Sequence, residues 1–243
     1  MKLSSNFLTE NACYKSGKRH VVQGIMVHST GANNPWLRRY VAPDDGIIGI
    51  NTGGTHWNTE KPGGISVCVH AFIGKDKNGG VRTCQTLPWN MVGWHSGSGT
   101  RSKSANNTGY IGFEICEDDL TDAAYFSAVY QEAVELCAYL CREYRLNPLT
   151  DILCHSEGYA KGIASNHADV MHWFPKHGKN MDLFRAQVQS LMTKAPAPLP
   201  DSSAYKTIIQ TRCQFTNPNQ VFTHLDGFKY ATDLYRKWAE SYR

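Results

Sequence analysis

"GYIGFEICEDDLTDAAYFSAVYQEAVELCAYLCREYR" runs from Gly109 to Arg145 and changes its hydrophobic period partway along. Gly109–Asp118 is an apolar run of strand length. From Thr121 onward, Phe126, Tyr130, Ala133, Cys137, Leu140, Cys141 and Tyr144 fall on one helical face, with Thr121 or Asp118 as the expected N-cap. Within the strand, Phe113 and Ile115 point one way and Gly112 and Glu114 the other. A carboxylate in a strand interior is costly unless it has a partner or a task.

Working outward, "HVVQGIMVHST" (His20–Thr30) reads as a strand closing in a polar turn at His28 to Thr30. "ISVCVHAFIG" (Ile65–Gly74) is a second strand; "KDKNGG" supplies turn chemistry, and "VRTCQTL" returns antiparallel. "TDILCHSEG" (Thr150–Gly158) is a further strand ending in a polar turn at His155, and "MDLFRAQVQSLM" a closing helix. Strands interleaved with helices, one hairpin among them, predict an α/β fold: a central mixed β-sheet flanked by α-helices, plus a small C-terminal module. The domain expected is 1–192. Pro196, Pro198 and Pro200 mark 193–204 as a semi-rigid linker, and 205–243 is a short basic, aromatic module.

The 243 residues suffice for a sizeable core, and 41% hydrophobic with 19% charged residues is ordinary for a globular protein. The net charge of +4 comes without a dense Lys/Arg stripe, so nucleic acid is not an expected partner. "MKLSSNFLTENACYKSGK" has no apolar signal region, and no segment has the length and apolarity of a membrane span. The expectation is synthesis in the cytoplasm without membrane insertion. The eight scattered cysteines then read as small buried hydrophobes, Cys137 and Cys141 as core neighbours.

His28 and His155 both stand where a strand gives way to a turn, the place where α/β sheets gather ligands and catalytic groups. Two such imidazoles and an acidic residue from a nearby loop make a three-ligand zinc site with an open position for water. Activating that water would be a task for Glu114. Other readings fare worse. "CHSE" lacks the partner cysteines of a zinc deaminase, and there is no His-Glu-x-x-His helix. Cys154 and His155 are adjacent in a strand and point apart, which disfavours a thiol nucleophile.

The ordered set "GIMVHSTG", "ISVCVHAFIG", "VGWHSG", "NTGYIGFEICED", "ILCHSEG" and "SNHADVMHWF" resembles the zinc-dependent N-acetylmuramoyl-L-alanine amidases of the type 2 amidase and peptidoglycan-recognition superfamily. The resemblance is to endolysin- and autolysin-like members from clostridia-like Gram-positive bacteria or their phages. It implies that His28 and His155 are zinc ligands, one zinc per catalytic domain. Glu114 would position or deprotonate the water, and His70 would be structural. Trp94, His95 and the loop "SGSGTRSKSANN" would line a substrate groove.

For the third ligand, "NHADV" laid on the family's Lys-x-Asp-Pro pattern gives Asp169, with His167 in the lysine's place and Val170 departing from the proline. The competing alignment on "GKNMD" gives Asp182 beside Lys179, although Asp182 also reads as the N-cap of the last helix. His172 and His177 would be loop or groove residues, with Trp173 and Phe174 packing the loop. The implied reaction is hydrolysis, by zinc-activated water, of the amide between N-acetylmuramic acid and L-Ala of the stem peptide of bacterial peptidoglycan. A protonated His167 would stabilise the oxyanion by about 3 kcal/mol. The C-terminal module would serve wall attachment or self-association, and release to the wall would be holin-dependent. The alternatives are a non-catalytic peptidoglycan-recognition protein, a Cys/His amidase and a structural wall protein.

Overall fold

The structure is a computed structural model describing residues 1–193, 202–213, 221–222, 225–226 and 231–240. Its strands are β1 (Leu3–Ser5), β2 (Gly24–Ser29), β3 (Ala71–Lys75), β4 (Val81–Gln85), β5 (Tyr110–Ile115) and β6 (Ile152–Cys154). They form one sheet in the order β1-β4-β3-β5-β2-β6. Every neighbouring pair is parallel except the β3–β4 hairpin, so the sheet is mixed and helix-flanked as expected.

Alternation along the strands sorts the two faces. Ile25 and Val27 of β2, Ile111, Phe113 and Ile115 of β5, and Ile152 and Cys154 of β6 share one core with the helix Ala123–Tyr144. That helix buries Phe126, Tyr130, Ala133, Cys137, Leu140 and Cys141, the stripe its 3.6-residue period announces. Met26 and Leu153 point to the opposite face, where they pack with Ala105, Ile163 and Ala164.

Several boundaries differ from the sequence expectation. The long helix is capped by neither Thr121 nor Asp118 but by Asp122, whose side chain accepts from the Ala124 and Tyr125 amides. The strand expected over 65–74 is regular only over Ala71–Lys75; Cys68 instead bridges Trp94. β6 stops at Cys154 and the chain turns at once into the helix His155–Ala160. Glu157, the third residue of that helix, accepts from the Cys154 amide at 3.0 Å, the carboxylate half of a capping box. Asn180, not Asp182, caps the last helix, by accepting from the Leu183 amide.

The described residues divide into two compact units, Met1–Met192 and Thr193–Arg243. In the second, the helices Ser202–Cys213 and Ala231–Glu240 contribute to a small core with Ile209, Phe222, Ala231, Tyr235 and Ala239. Residues 194–201 of the expected linker lie outside the described residues, and Ser202–Cys213 is helical. Among the described residues, no helix is long and apolar enough to cross a membrane.

Candidate metal centre and its cleft

Parallel pairing sets His28 beside Glu114, and Val27 beside Cys154. His155 directly follows Cys154, so Glu114, His28 and His155 stand level across three neighbouring strands. All three lie at the carboxyl ends of those strands, on the face away from the long helix. They open onto a cleft of ≈ 530 Å³ also lined by Trp94, His95, Ser165, His167 and Asp169.

Asp169 comes from the irregular segment 161–180. It has a left-handed backbone (φ 45°) and opens the 3-10 turn Asp169–His172. What holds it there is core packing. Val170, Trp173 and Phe174 are fully buried, with Trp173 and Phe174 edge-on to Phe126. Val170, the residue after Asp169, thus anchors the turn through burial. His172 Nε2 lies 3.1 Å from Glu117 Oε2, and the His177 ring stacks on Phe126 at 4.0 Å.

His28 Nδ1 and His155 Nδ1 are 3.1 Å apart, and the Asp169 carboxylate oxygens lie 3.4 Å from His28 Nδ1 and 3.0 Å from His155 Nδ1. A tetrahedral zinc with ligands near 2.0–2.1 Å requires about 3.3 Å between donor atoms. The three residues are the one group among the described residues whose His, Cys or carboxylate donors converge in this way. Asp169 Oδ2 and Glu114 Oε2 are both buried without a properly directed hydrogen bond, a need that a bound cation and its water would satisfy. The donor set fits a metal.

Electrostatics favours the ligand forms. Burial outweighs the pull of Asp169 and lowers the pKa of His28, so its imidazole is neutral. Burial would raise the Asp169 carboxyl, but the neighbouring His155 and His28 outweigh it and hold the group well below the usual range, as a carboxylate. Glu114 goes the other way: burial first, then the charges of Asp169 and Glu117, push it well above the ordinary value.

The remaining sequence candidates separate. Asp182 is 89% exposed and bonded to Arg185, while the Lys179 ammonium lies over the Tyr130 ring, so that pair is not part of the cluster. His167 is exposed, its Nδ1 3.0 Å from Ser165 Oγ, and its ring is 4.8 Å from that of His155. His70 is fully buried between the Met91 carbonyl and the Gly112 amide, and burial pushes its pKa down to about 4. His95 reaches the cleft, but its ring nitrogens face His28 Nε2 at 3.0 Å and the Tyr110 carbonyl at 3.2 Å, leaving neither for a substrate. Of the loop "SGSGTRSKSANN", only Gly97 lines the cleft; Arg101 and Ala105 pair their amides with Gly162 and Ile163. Cys154 Sγ faces Ser156 Oγ and burial raises its pKa, so it forms no thiolate–imidazole pair. Sequence reading missed Ser165 and Asn106, both bonded around this centre.

The fold is similar to several solved structures at 18% identity. The PlyG catalytic domain aligns with TM-score 0.53, over 81% of this chain and all (100%) of that one. PlyL aligns with TM-score 0.51, over 81% and 99%. The Staphylococcus aureus hydrolase AmiA, solved with its ligand, aligns with TM-score 0.50, over 79% and 83%. No curated protein gives a significant sequence match. Residues 18–172, which carry the whole row of strand-end residues and the Asp169 turn, match the N-acetylmuramoyl-L-alanine amidase family. The chain belongs to that family of peptidoglycan amidases.

Proposed function

We propose that this amidase cleaves the bond between N-acetylmuramic acid and L-Ala of the stem peptide, using one zinc ion held by His28, His155 and Asp169. The observation that carries the reading is the convergence of three donor atoms at zinc spacing beside the half-buried Glu114, whose Oε2 is buried without a hydrogen-bond partner. When bound, zinc supplies Lewis acidity, polarising the scissile carbonyl and lowering the pKa of water towards about 7.

The chain's own groups do the rest. Glu114, with its raised pKa, takes the proton of the attacking water and delivers it to the leaving amine; such a relay contributes about 10²–10⁴-fold. His167, exposed at the cleft and braced by Ser165, offers a donor to the developing oxyanion. Trp94 borders the cleft and would hold substrate, while the half of His95 that reaches the cleft adds apolar wall. For residues 193–243 we assign wall attachment or self-association, with action on the wall after holin-dependent release from an endolysin-like source. Deleting them is expected to weaken wall binding but leave hydrolysis of small fragments intact.

Digestion of purified Gram-positive peptidoglycan with mass-spectrometric readout tests the reaction. Free stem peptides beginning at L-Ala, lost with EDTA and restored by zinc, are expected. Intact wall with protein bound to it would replace catalysis by recognition. Cleavage persisting in EDTA would remove the metal.

A further inference from the structure

Behind both metal-facing histidines lies one short segment of chain, His95–Ser96, and its hydrogen bonds decide where their protons sit. The Tyr110 carbonyl can only accept, so His95 Nε2, 3.2 Å away, carries a proton and donates it. His95 is buried, and its two ring nitrogens face only a backbone carbonyl and another imidazole, with no carboxylate to hold a second proton. Its single proton is therefore spent on Tyr110, and its Nδ1 is an acceptor. His28 Nε2, 3.0 Å from that Nδ1, must be the donor. The proton of a neutral His28 is then on Nε2, and its Nδ1 turns a bare lone pair towards His155 and Asp169.

The second histidine is treated alike. Ser165 Oγ donates to the Ser96 carbonyl at 3.3 Å, leaving its two lone pairs for His155 Nε2 at 3.2 Å and His167 Nδ1 at 3.0 Å. His155 Nε2 is thereby the protonated nitrogen, and His155 Nδ1 is bare. The Ser165 amide also donates to the Ser96 carbonyl, at 2.9 Å.

The segment itself is pinned. Asn106 Oδ1 accepts from the His95 amide at 2.9 Å and the Ser96 amide at 3.0 Å, while the Asn106 amide returns a bond to Ser96 Oγ at 3.3 Å. Room for the His95 imidazole depends on Gly112, where a Cβ would come within 2.4 Å of the ring.

We infer that His95, Ser165 and Asn106 are positioning residues that fix both His28 and His155 in the Nε2–H tautomer, presenting Nδ1 of each to the metal. The inference rests on the zinc reading above and assigns His95 to the histidines rather than to substrate. Outer partners of this kind orient ligands and sharpen metal affinity.

The test uses the full-length, metal-stripped protein titrated with zinc against a chromophoric chelator. His95→Phe keeps the ring volume and removes both bonds; Ser165→Ala and Asn106→Ala remove the other two supports. Each is expected to weaken zinc binding by about 10- to 100-fold. His95→Gln and Asn106→Asp, which preserve the acceptors, are expected to recover most of the loss. Thermal unfolding of the metal-free variants separates orientation from misfolding: a purely structural role would lower that midpoint and be indifferent to the Gln and Asp replacements. Imidazole ¹H–¹⁵N spectra of the metal-free wild type provide a readout independent of zinc, and the Nε2–H pattern is expected for His28. An Nδ1–H pattern, or variant affinities within twofold of wild type, overturns the inference while leaving the zinc reading in place. A wild type that fails to bind zinc overturns both.

Discussion

The two halves of the candidate centre are built on different principles. His28 and Glu114 sit at the ends of neighbouring parallel strands, where the pleat and the strand register fix their direction, and His155 opens the helix that directly follows the third strand. Asp169 sits in a loop, in a left-handed conformation, and its turn is anchored by Val170, Trp173 and Phe174, which are buried just beyond it. The strand residues inherit the rigidity of the sheet, whereas the loop residue borrows that of the core under the long helix. A site made this way has one half that tolerates change around it and one half that depends on packing several residues away.

The largest expected effect breaks the strand half. His28→Ala is expected to abolish zinc binding and reduce wall hydrolysis to background, read by chelator competition and product mass spectrometry. Asp169→Ala is expected to do the same, and retention of both properties would move the third ligand elsewhere. Glu114→Gln is expected to lower turnover by about 10²–10⁴-fold while keeping zinc.

The same Glu114→Gln substitution sharpens the electrostatic argument. The raised carboxyl pKa means that the folded metal-free protein holds a proton the unfolded chain has released. Stability therefore falls as pH rises from the unfolded value of about 4.3 through the folded pKa. Removing the charge should raise the metal-free melting temperature at pH 7 and narrow its difference from the value at pH 4. A lower melting temperature at pH 7 would contradict the assignment.

Much of this was legible in the sequence, and the reasons are specific. β2 and β5 are apolar runs of strand length, the β3–β4 hairpin carries turn residues between two such runs, and the helix Ala123–Tyr144 carries a 3.6-residue stripe. β1, at three residues, is too short for periodicity to register, and its partners in β4 lie 80 positions along the chain (Leu3 opposite Thr83). The helix at His155 was hidden because its cap residue is Cys154, outside the usual capping set, although Glu157 was a cue. Distinguishing Asp169 from Asp182 needs the loop path, which depends on where Trp173 and Phe174 find room. The engagement of His95 with His28 follows from a close approach over Gly112 that no local pattern encodes.

The loop half can be loosened without touching a donor. Trp173→Ala should cost about 3–5 kcal/mol of unfolding free energy and, if the loop is held as described, weaken zinc binding as well. Unchanged zinc affinity in a folded Trp173→Ala protein would show that Asp169 is held by something else. Smallest of all, Asp182→Ala removes an exposed contact to Arg185 and should change stability by about 0–1 kcal/mol with no change in zinc binding. Arg185 retains its paired bonds to Glu157 at 2.9 and 3.0 Å.

The most direct test of the central claim is a zinc-edge anomalous difference map from crystals of the full chain soaked in zinc. The account predicts one strong peak in the cleft, about 2.0–2.2 Å from His28 Nδ1, His155 Nδ1 and an Asp169 oxygen. A peak on Nε2 of either histidine, a peak at Asp182, or no peak in the cleft would contradict it.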